Sequence, residues 1–332
     1  MLSTRAISCA SLASRKSTMR DLRVGTRASA LARWQASYAI ERLRTLDGAV
    51  AIHMVELSSA GDESPDVDLT RLEGTGFFTS TLERALLEEH IDIAVHSFKD
   101  LPTEMSPDLV IAAVPERGPV EDVLCTRGHL QLAELPVGAR LGTSSPRRTA
   151  QLRSRRPDLE FIPLRGNVPT RLELVARGEL DAVVLARAGL ERLGLMNHVS
   201  EIFDPTVMLP APAQGALALQ IRVGDAALGR LLKPLDHPPT RRAVDAERSV
   251  LRALHGGCSI PVGALATPRS GELSLDAGVF DPAGTRAARV RVEGRDAHEL
   301  GRQVARLLLS QGAAEILGLL GREPRAVGGE RQ

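Results

Sequence analysis

The stretch from Ile91 to Pro102 constrains the fold more than any other part of the sequence. Its first half is apolar and β-branched, which is typical of a strand buried on both faces of a sheet. Its second half changes to His, Ser, Lys and Asp before the proline. Ligands of open parallel sheets bind beyond the carboxyl ends of the strands, so Lys99 and Asp100 are predicted to lie at a binding site. A solvated loop with a local ion pair is the alternative interpretation of these two residues alone.

Length and composition limit the class of protein. The chain has 332 residues, enough for two or three domains, with the 43% hydrophobic and 25% charged content of a globular protein. A net charge of +1 and an aromatic content of 2% argue against a surface for nucleic acid. No apolar run approaches the roughly 18 residues that cross a bilayer. The cysteines, Cys9, Cys125 and Cys258, lack zinc-site or disulfide spacing, so a cytoplasmic protein without a metal is expected.

A second informative stretch, residues 140–148, has the pattern of a short strand followed by a helix. Ser145 is a good N-cap and Pro146 a favoured first helical residue, so a helix is predicted from there to about residue 156. Arg147 and Arg148 would then lie in the first turn of this helix. A helix N-terminus binds anions through its free N–H groups and its dipole. Both arginines are expected to be exposed, so that replacing them changes stability by only about 0–1 kcal/mol.

The following strand ends at Arg165 and Gly166, and Asn167 is placed to cap a helix with Arg171 in its first turn. A cation is unfavourable at that position, so Arg171 is expected to be in solvent or bound to an anion. The arginines of this region have three interpretations: a solvated basic face, a nucleic-acid surface, or a site for a ligand with several carboxylates or phosphates. Arginines at turns and helix starts suit bidentate recognition of carboxylate.

The order of elements predicts two similar α/β domains and a smaller third unit. A change in composition at residues 115–119 indicates a crossing to the second domain, and residues 209–217 indicate a return to the first. The third unit is expected to hold a long helix, a small antiparallel sheet and a final helix. The predicted limits are 21–117 with 212–235 for the first domain, 118–211 for the second and 236–322 for the third, with a tail at 323–332. The extension at 1–20 has many serines, four cations and no acid, so it is interpreted as a transit peptide, a disordered segment or the result of a mis-assigned start.

Cys258 stands in the sequence His-Gly-Gly-Cys-Ser-Ile-Pro, from His255 to Pro261. A lone cysteine is more often a packed small residue than a reactive one. The two glycines before it and the proline after it instead predict a tight, exposed loop. His255 could favour the thiolate there, or have no part in the chemistry.

Motifs in a fixed order and spacing make the sequence resemble the porphobilinogen deaminase, or hydroxymethylbilane synthase, family: VHSFKDLP, GTSSPRR, LRGNVPTR, PAQGA and GGCSIP. The resemblance runs from about Leu22 to about Gly321. It implies an α/β fold with two domains like periplasmic binding proteins and a small α+β C-terminal domain. It also implies a transferase of tetrapyrrole and heme biosynthesis that condenses four porphobilinogen molecules head to tail, releasing ammonia, to give hydroxymethylbilane.

The same resemblance implies roles for single residues. A dipyrromethane cofactor would be held by a thioether to Cys258, and Asp100 would be the catalytic residue that steadies positive charge as ammonia leaves. The residues implied to bind the cofactor are Ser97, Lys99, Ser145, Arg147, Arg148, Arg165 and Gly166, and those implied to bind substrate are Arg27, Ser29, Arg171 and Arg192. The implied protein is a monomer without nucleic-acid or membrane partners. Thr75, Pro146 and Ala213 depart from the family's commonest pattern, which leaves the effect of Thr75 on loop electrostatics open.

Two other functions stay open at this point. A solute-binding protein on the same two-domain scaffold would hold a small polyanion without turnover, which leaves Asp100 and a loop cysteine without a purpose. A nucleic-acid binder would use the arginines between residues 140 and 171, and its binding would depend steeply on salt concentration.

Overall fold

The computed structural model describes residues 21–46, 48, 50–57, 77–254 and 260–318, with side chains from residue 81 onward in the segment that begins at 77. Within these residues the chain forms three β-sheets with helices packed on them. The extension at 1–20, Thr75, Cys258 and the tail at 323–332 lie outside the described residues. None of the described helices combines the length and the apolar character needed to cross a membrane.

The first sheet has the strand order β2-β1-β3-β10-β4. β1 pairs in parallel with β2 and β3, and β10 pairs antiparallel with β3 and β4. Its strands are β1 (Leu22–Arg27), β2 (Ile52–Leu57), β3 (Ile93–Ser97), β4 (Leu109–Ala113) and β10 (Leu217–Arg222), and its helices are α1 (Ala30–Leu46), α2 (Phe77–Leu87) and α6 (Ala226–Leu232). The pattern of residues 80–83 predicts the start of a helix there, which is wrong, because α2 already begins at Phe77.

The second sheet repeats this arrangement with the order β7-β6-β8-β5-β9. β6 pairs in parallel with β7 and β8, and β5 pairs antiparallel with β8 and β9. Its strands are β5 (Asp122–Thr126), β6 (Arg140–Gly142), β7 (Glu160–Ile162), β8 (Ala182–Ala186) and β9 (Glu201–Ile202), and its helices are α3 (Pro146–Arg153), α4 (Val168–Ala176) and α5 (Arg187–Arg192). The equivalent position of the antiparallel strand in both sheets confirms two similar α/β domains.

The third sheet is antiparallel and lies under two packed helices. The chain passes through α7 (Pro238–Ala253), β11 (Val262–Arg269), β12 (Glu272–Phe280), β13 (Ala287–Gly294) and α8 (Ala297–Leu308). Val250, Leu275 and Val304 are completely buried in its core. The predicted class, two α/β domains and a small α+β domain, is confirmed, whereas the limits given for the domains stay a prediction.

Two crossing segments, 114–121 and 209–216, join the first two domains and run side by side. Gly118 N donates a hydrogen bond to Gly215 O at 3.2 Å. Gly215 has a φ of +85°, and a side chain there would meet Pro119 O at 2.5 Å. Only glycine allows the two segments to approach this closely.

The third domain is tied to this crossing by a buried ion pair. Arg117 donates from Nη1 to Glu247 Oε1 at 2.6 Å, and Glu247 also accepts from Ala213 N at 2.7 Å. Glu247 lies on α7 and is fully buried, so the helix of the third domain is fixed against both crossing segments.

Candidate active site

Two strand ends of the first sheet and the start of α1 carry three of the predicted site residues. Arg27 ends β1 and is half-buried, and the hydroxyl of Ser29 accepts from Ala32 N at 3.3 Å, which caps the helix. Ser97 ends β3, and its hydroxyl accepts from Gln35 Nε2 at 2.7 Å. The helix thus holds the carboxyl end of β3 in place.

The chain turns sharply after β3. Residues Phe98–Asp100 form one turn of 3-10 helix, with the Phe98 side chain buried beneath it. Lys99 is half-buried and Asp100 is exposed. The predicted placement at the strand's carboxyl end is therefore what the structure shows, and the two charged side chains differ in their access to solvent.

A buried ion cluster lies at the start of β5. Asp122 is fully buried and accepts from Arg147 Nη1 at 2.6 Å and from Arg148 Nη2 at 2.7 Å. Burial alone would raise the pKa of Asp122, but the charges of the two arginines outweigh it and hold that pKa well below its usual range. The carboxylate is thus ionised at any ordinary pH.

The expectation that Arg147 and Arg148 are exposed is wrong. Their exposed fractions are 3% and 6%, because both side chains reach inward to Asp122 and to the backbone carbonyls of Leu209 and Val184. The predicted cap is confirmed, since the Ser145 side chain accepts from Arg148 N. Replacing either arginine would leave the buried carboxylate of Asp122 with one arginine partner instead of two, so a larger loss of stability than predicted is now expected.

Gln214 connects this cluster to the first domain. Lys99 Nζ donates to Gln214 Oε1 at 3.3 Å, and Gln214 Nε2 donates to Asp122 Oδ1 at 3.0 Å. Burial lowers the pKa of Lys99 to about 8, and the nearby charges of Arg147 and Arg148 act in the same direction. Asp100 and Asp122 oppose this shift without cancelling it.

Arg171 approaches the same place from α4. Its Nε donates to Gly166 O at 2.8 Å, and Asn167 caps the helix as predicted, accepting from the backbone of the following turn. Burial and then the charge of Arg148 lower the pKa of Arg171, while Asp100 acts in the opposite direction. Arg171 was expected either to be in solvent or to bind an anion. The structure adds a third kind of partner, because its guanidinium donates to a backbone carbonyl.

Arg192 lies at another point between the domains. Its guanidinium is 5.5 Å from the ring centre of Trp34 on α1, and its Nη2 donates to Gly215 O at 2.6 Å. Trp34 itself stacks on Tyr38 at 5.5 Å. Arg192 therefore sits beside the crossing segments, at a contact between the two domains.

The structure brings together side chains from loops that are distant in the sequence. Lys99 and Asp100 of the first domain share one charge cluster with Arg147, Arg148 and Arg171 of the second. Arg165 is exposed in the loop after β7. Cations outnumber carboxylates here, so the cluster suits a ligand with several carboxylates. Cys258 lies outside the described residues.

Family comparison gives this cluster a context. The model of the porphobilinogen deaminase dipyrromethane cofactor binding domain matches residues 22–230, and that of the porphobilinogen deaminase C-terminal domain matches residues 242–310. The chain belongs to the porphobilinogen deaminase family. The resemblance seen in the motifs is thereby confirmed, and with it the transferase activity and the place in tetrapyrrole biosynthesis.

The chain is similar to known porphobilinogen deaminases over most of their length. The porphobilinogen deaminase of Acidothermus cellulolyticus is 48% identical over 302 residues, covering 89% of this chain and 91% of the relative. That of Desulforudis audaxviator is 49% identical over 300 residues, covering 90% and 97%. A solved periplasmic binding protein of Salmonella typhimurium is 12% identical, covering 65% of this chain and 92% of its own, with a TM-score of 0.37. A likeness of this size supports no conclusion about a ligand.

The described residues fit the dipyrromethane cofactor of the porphobilinogen deaminase family. Arg147 Nε is buried and has no hydrogen-bond partner among the described residues, so it is a donor available to an acceptor from a ligand. The surplus of cations around Lys99 and Arg171 matches the acetate and propionate groups of pyrrole rings. Lys99, Arg147, Arg148 and Arg171 are the residues that would hold them.

Two residues of this porphobilinogen deaminase site were not identified from the sequence. Asp122 and Gln214 hold the cations in position, but the side-chain hydrogen bonds that do so reach residues far away in the sequence. Asp122 could have been identified from the sequence, because it is the first residue of an otherwise apolar strand. A carboxylate in a buried strand needs cationic partners. Gln214 stood within a motif that carried the resemblance.

Asp122→Asn is expected to destabilise the protein by about 3–5 kcal/mol, since it leaves two buried guanidinium groups without a counter-charge. Urea unfolding at pH 7 measures this loss. Glu173→Gln is the matched control, because its ion pair with Arg177 is exposed and contributes less than about 1 kcal/mol. Equal losses in the two variants would contradict the structural role of Asp122.

Proposed function

We propose that the protein joins four porphobilinogen molecules head to tail to give hydroxymethylbilane, from a dipyrromethane primer held by a thioether to Cys258. Asp100 is the catalytic carboxylate in this proposal. The observation that carries the proposal is the charge cluster between two domains, in which the exposed carboxylate of Asp100 interacts with Lys99 and Arg171, and Arg148 lies near both of these cations.

The cations of the cluster bind and orient the carboxylates of each ring. Arg148 is fixed by Asp122, and Lys99 is fixed by Gln214, so their positions are set before a ligand arrives. Fixed charges stabilise a bound anion without the reorganisation that water requires. When bound, the dipyrromethane supplies the pyrrole carbon to which the first substrate is joined.

Asp100 acts on the reacting group. As the carbon–nitrogen bond of the substrate's protonated aminomethyl group breaks, ammonia leaves with the bonding electrons and the positive charge passes to the pyrrole. The carboxylate at the end of β3 stabilises that charge. Its exposed position allows each incoming ring to reach it.

Intact-mass measurement tests the covalent primer. Protein made in a host that produces porphobilinogen is expected to exceed its sequence mass by two condensed pyrrole units. A thioether, unlike a disulfide, survives reducing agent, and peptide mapping is expected to place the excess on the fragment with Gly256, Gly257 and Cys258. Active protein with an unmodified Cys258 would refute the primer mechanism.

Titration of Lys99 provides a further test. Its pKa of about 8, against roughly 10.4 for an ordinary lysine, means that raising the pH through 8 removes its charge and weakens carboxylate binding there. Acetylation of Lys99 in the cofactor-free Cys258→Ala variant is therefore expected to level off above about pH 8. Lys233, whose side chain is 74% exposed, serves as internal control for the reagent. A rate for Lys99 that still rises above about pH 10 would contradict this assignment.

The proposal also includes a monomeric cytoplasmic enzyme that binds no nucleic acid. The near-neutral charge and low aromatic content support the absence of nucleic-acid binding. Sedimentation of the purified protein at several concentrations tests the monomeric state, with a constant mass of one chain as the expected result.

A further inference from the structure

The loop that carries Asp100 is held from outside its own domain. Arg248, on α7 of the third domain, donates from Nη1 to Leu101 O at 2.9 Å and to Phe98 O at 3.4 Å, and from Nη2 to Pro102 O. Its guanidinium lies 4.6 Å from the centre of the Phe98 ring. One side chain therefore contacts the backbone on both sides of Asp100.

A second arginine extends this contact by one helical turn. Arg252 Nη2 donates to Thr103 O at 3.0 Å. Residues four apart lie on the same face of a helix, so Arg248 and Arg252 both face the loop. Arg248 is buried, with an exposed fraction of 6%, whereas Arg252 is exposed.

The loop has other anchors that keep it folded. Phe98 and Leu101 are buried in an apolar cluster with Val244 of α7, and Phe98 N donates to Ala216 O at 3.0 Å. Apolar packing is not directional, whereas hydrogen bonds to carbonyl oxygens depend on angle. The packing thus keeps the loop in its place, and Arg248 fixes the orientation of the peptide groups beside Asp100.

We propose that Arg248 is a positioning residue that sets the orientation of Asp100, with Arg252 as its support. The inference rests on the catalytic role proposed for Asp100. A catalytic group displaced by about 1 Å can lose about a hundredfold in rate, so the loss of Arg248 affects turnover without removing the carboxylate. Cys258 follows Ala253, the last residue of α7, by five positions, so the same helix links the loop of Asp100 to the proposed attachment residue.

Arg248→Met tests the proposal, because it keeps the apolar stem and removes the guanidinium. We expect kcat to fall by about 10- to 100-fold, KM to change by less than about twofold and the mass of the pyrrole adduct to stay the same. Arg248→Lys, which restores the charge and one donor, is expected to recover part of kcat. An unchanged kcat in Arg248→Met overturns the proposal.

Arg242→Met is the matched control on the same helix. Arg242 Nη2 donates to Arg295 O at 3.0 Å within the third domain, so the variant loses a comparable bond that does not involve the loop. Its kcat is expected to equal that of the unaltered protein. A loss as large as that of Arg248→Met would show a general effect of the helix and overturn the proposal.

Arg252→Met decides the question if Arg248→Met does not fold. Because Arg252 is exposed, this variant is expected to keep its melting temperature while kcat falls by about two- to fivefold. A normal kcat in both Arg252→Met and Arg248→Lys overturns the proposal.

A double-mutant cycle separates this inference from the proposed function. If Arg248 acts through Asp100, then Arg248→Met lowers kcat in the unaltered protein but not in the Asp100→Asn background. Equal losses in both backgrounds overturn the inference alone. Near-normal activity of the single Asp100→Asn variant overturns the proposed function and the inference with it.

Discussion

Replacing Cys258 with alanine is expected to abolish turnover and to leave the protein without its pyrrole adduct. The thioether has no other proposed attachment point, and without a covalent primer the first ring has nothing to which it can be joined. The melting temperature of the porphobilinogen-free protein is expected to stay within a few degrees, because the change removes a single sulfur atom. Intact mass and the colour reaction with an aldehyde reagent for pyrroles measure the adduct. A turnover assay measures the activity, and thermal unfolding measures the melting temperature.

Cys125→Ala is the matched control for this variant. Cys125 is 2% exposed in β5, and burial raises the pKa of its thiol to about 12, so almost none of the reactive thiolate is present. Its replacement is expected to keep the adduct and the activity. An adduct that persists in Cys258→Ala and disappears in Cys125→Ala would reverse the assignment.

Asp100→Asn is expected to lower turnover by about a hundredfold or more while the fold is unchanged. Asparagine has nearly the same shape, but it supplies no negative charge where positive charge develops, and loss of one preorganised group typically has an effect of this size. Asp100 is exposed, and the neighbouring Lys99 and Arg171 keep their bonds to Gln214 Oε1 and Gly166 O in the variant, so little stability is expected to be lost. Turnover per adduct, with the adduct counted by mass in the same preparation, is the measurement.

Glu104→Gln controls for charge in the same loop. Glu104 is exposed and lies four positions after Asp100, so the variant makes the same change in net charge at a place with no proposed chemistry. Its turnover is expected to be normal. Similar losses in the two variants would assign the effect to the general field of the loop and not to Asp100.

Local features of the site could be predicted from the sequence, because the atoms involved are close together in the chain. Ser145 and Asn167 accept hydrogen bonds from backbone groups three residues further on, and both were identified as caps. The end of the strand before Asp100 was located for the same reason, since its composition changes within a few residues. Nothing beyond the immediate neighbours was needed for these predictions.

The environment of the arginines could not be predicted in this way. Arg147 is buried because Asp122, 25 residues earlier, opens a neighbouring strand, and Gln214 reaches that carboxylate from 92 residues away. Such contacts depend on which strands pair, and a pattern of residues along the chain does not contain that information. The three sheets were predicted from the order of elements, whereas the partners across them were not.

Ala213, which departs from the family's commonest pattern, has an unfavourable backbone conformation. Ala213 has a φ of +62°, a region that glycine adopts without strain and that alanine occupies at a cost of roughly 1 kcal/mol. Its N–H is held by Glu247, so the strained conformation is fixed by the same ion pair that joins the third domain to the crossing. Glycine at this position would relieve that strain.

The paired crossing segments would also determine how far each side chain of the site moves if the two domains rotate relative to each other. If the two domains rotate about the line where Gly118 meets Gly215, each atom is displaced in proportion to its distance from that line. Gln214 lies in the crossing itself, so the atoms that join it to Lys99 and Asp122 would move least. Side chains far from the crossing would move most. A small angular change there would therefore alter the spacing of the outer side chains more than the spacing of Lys99 and Asp122.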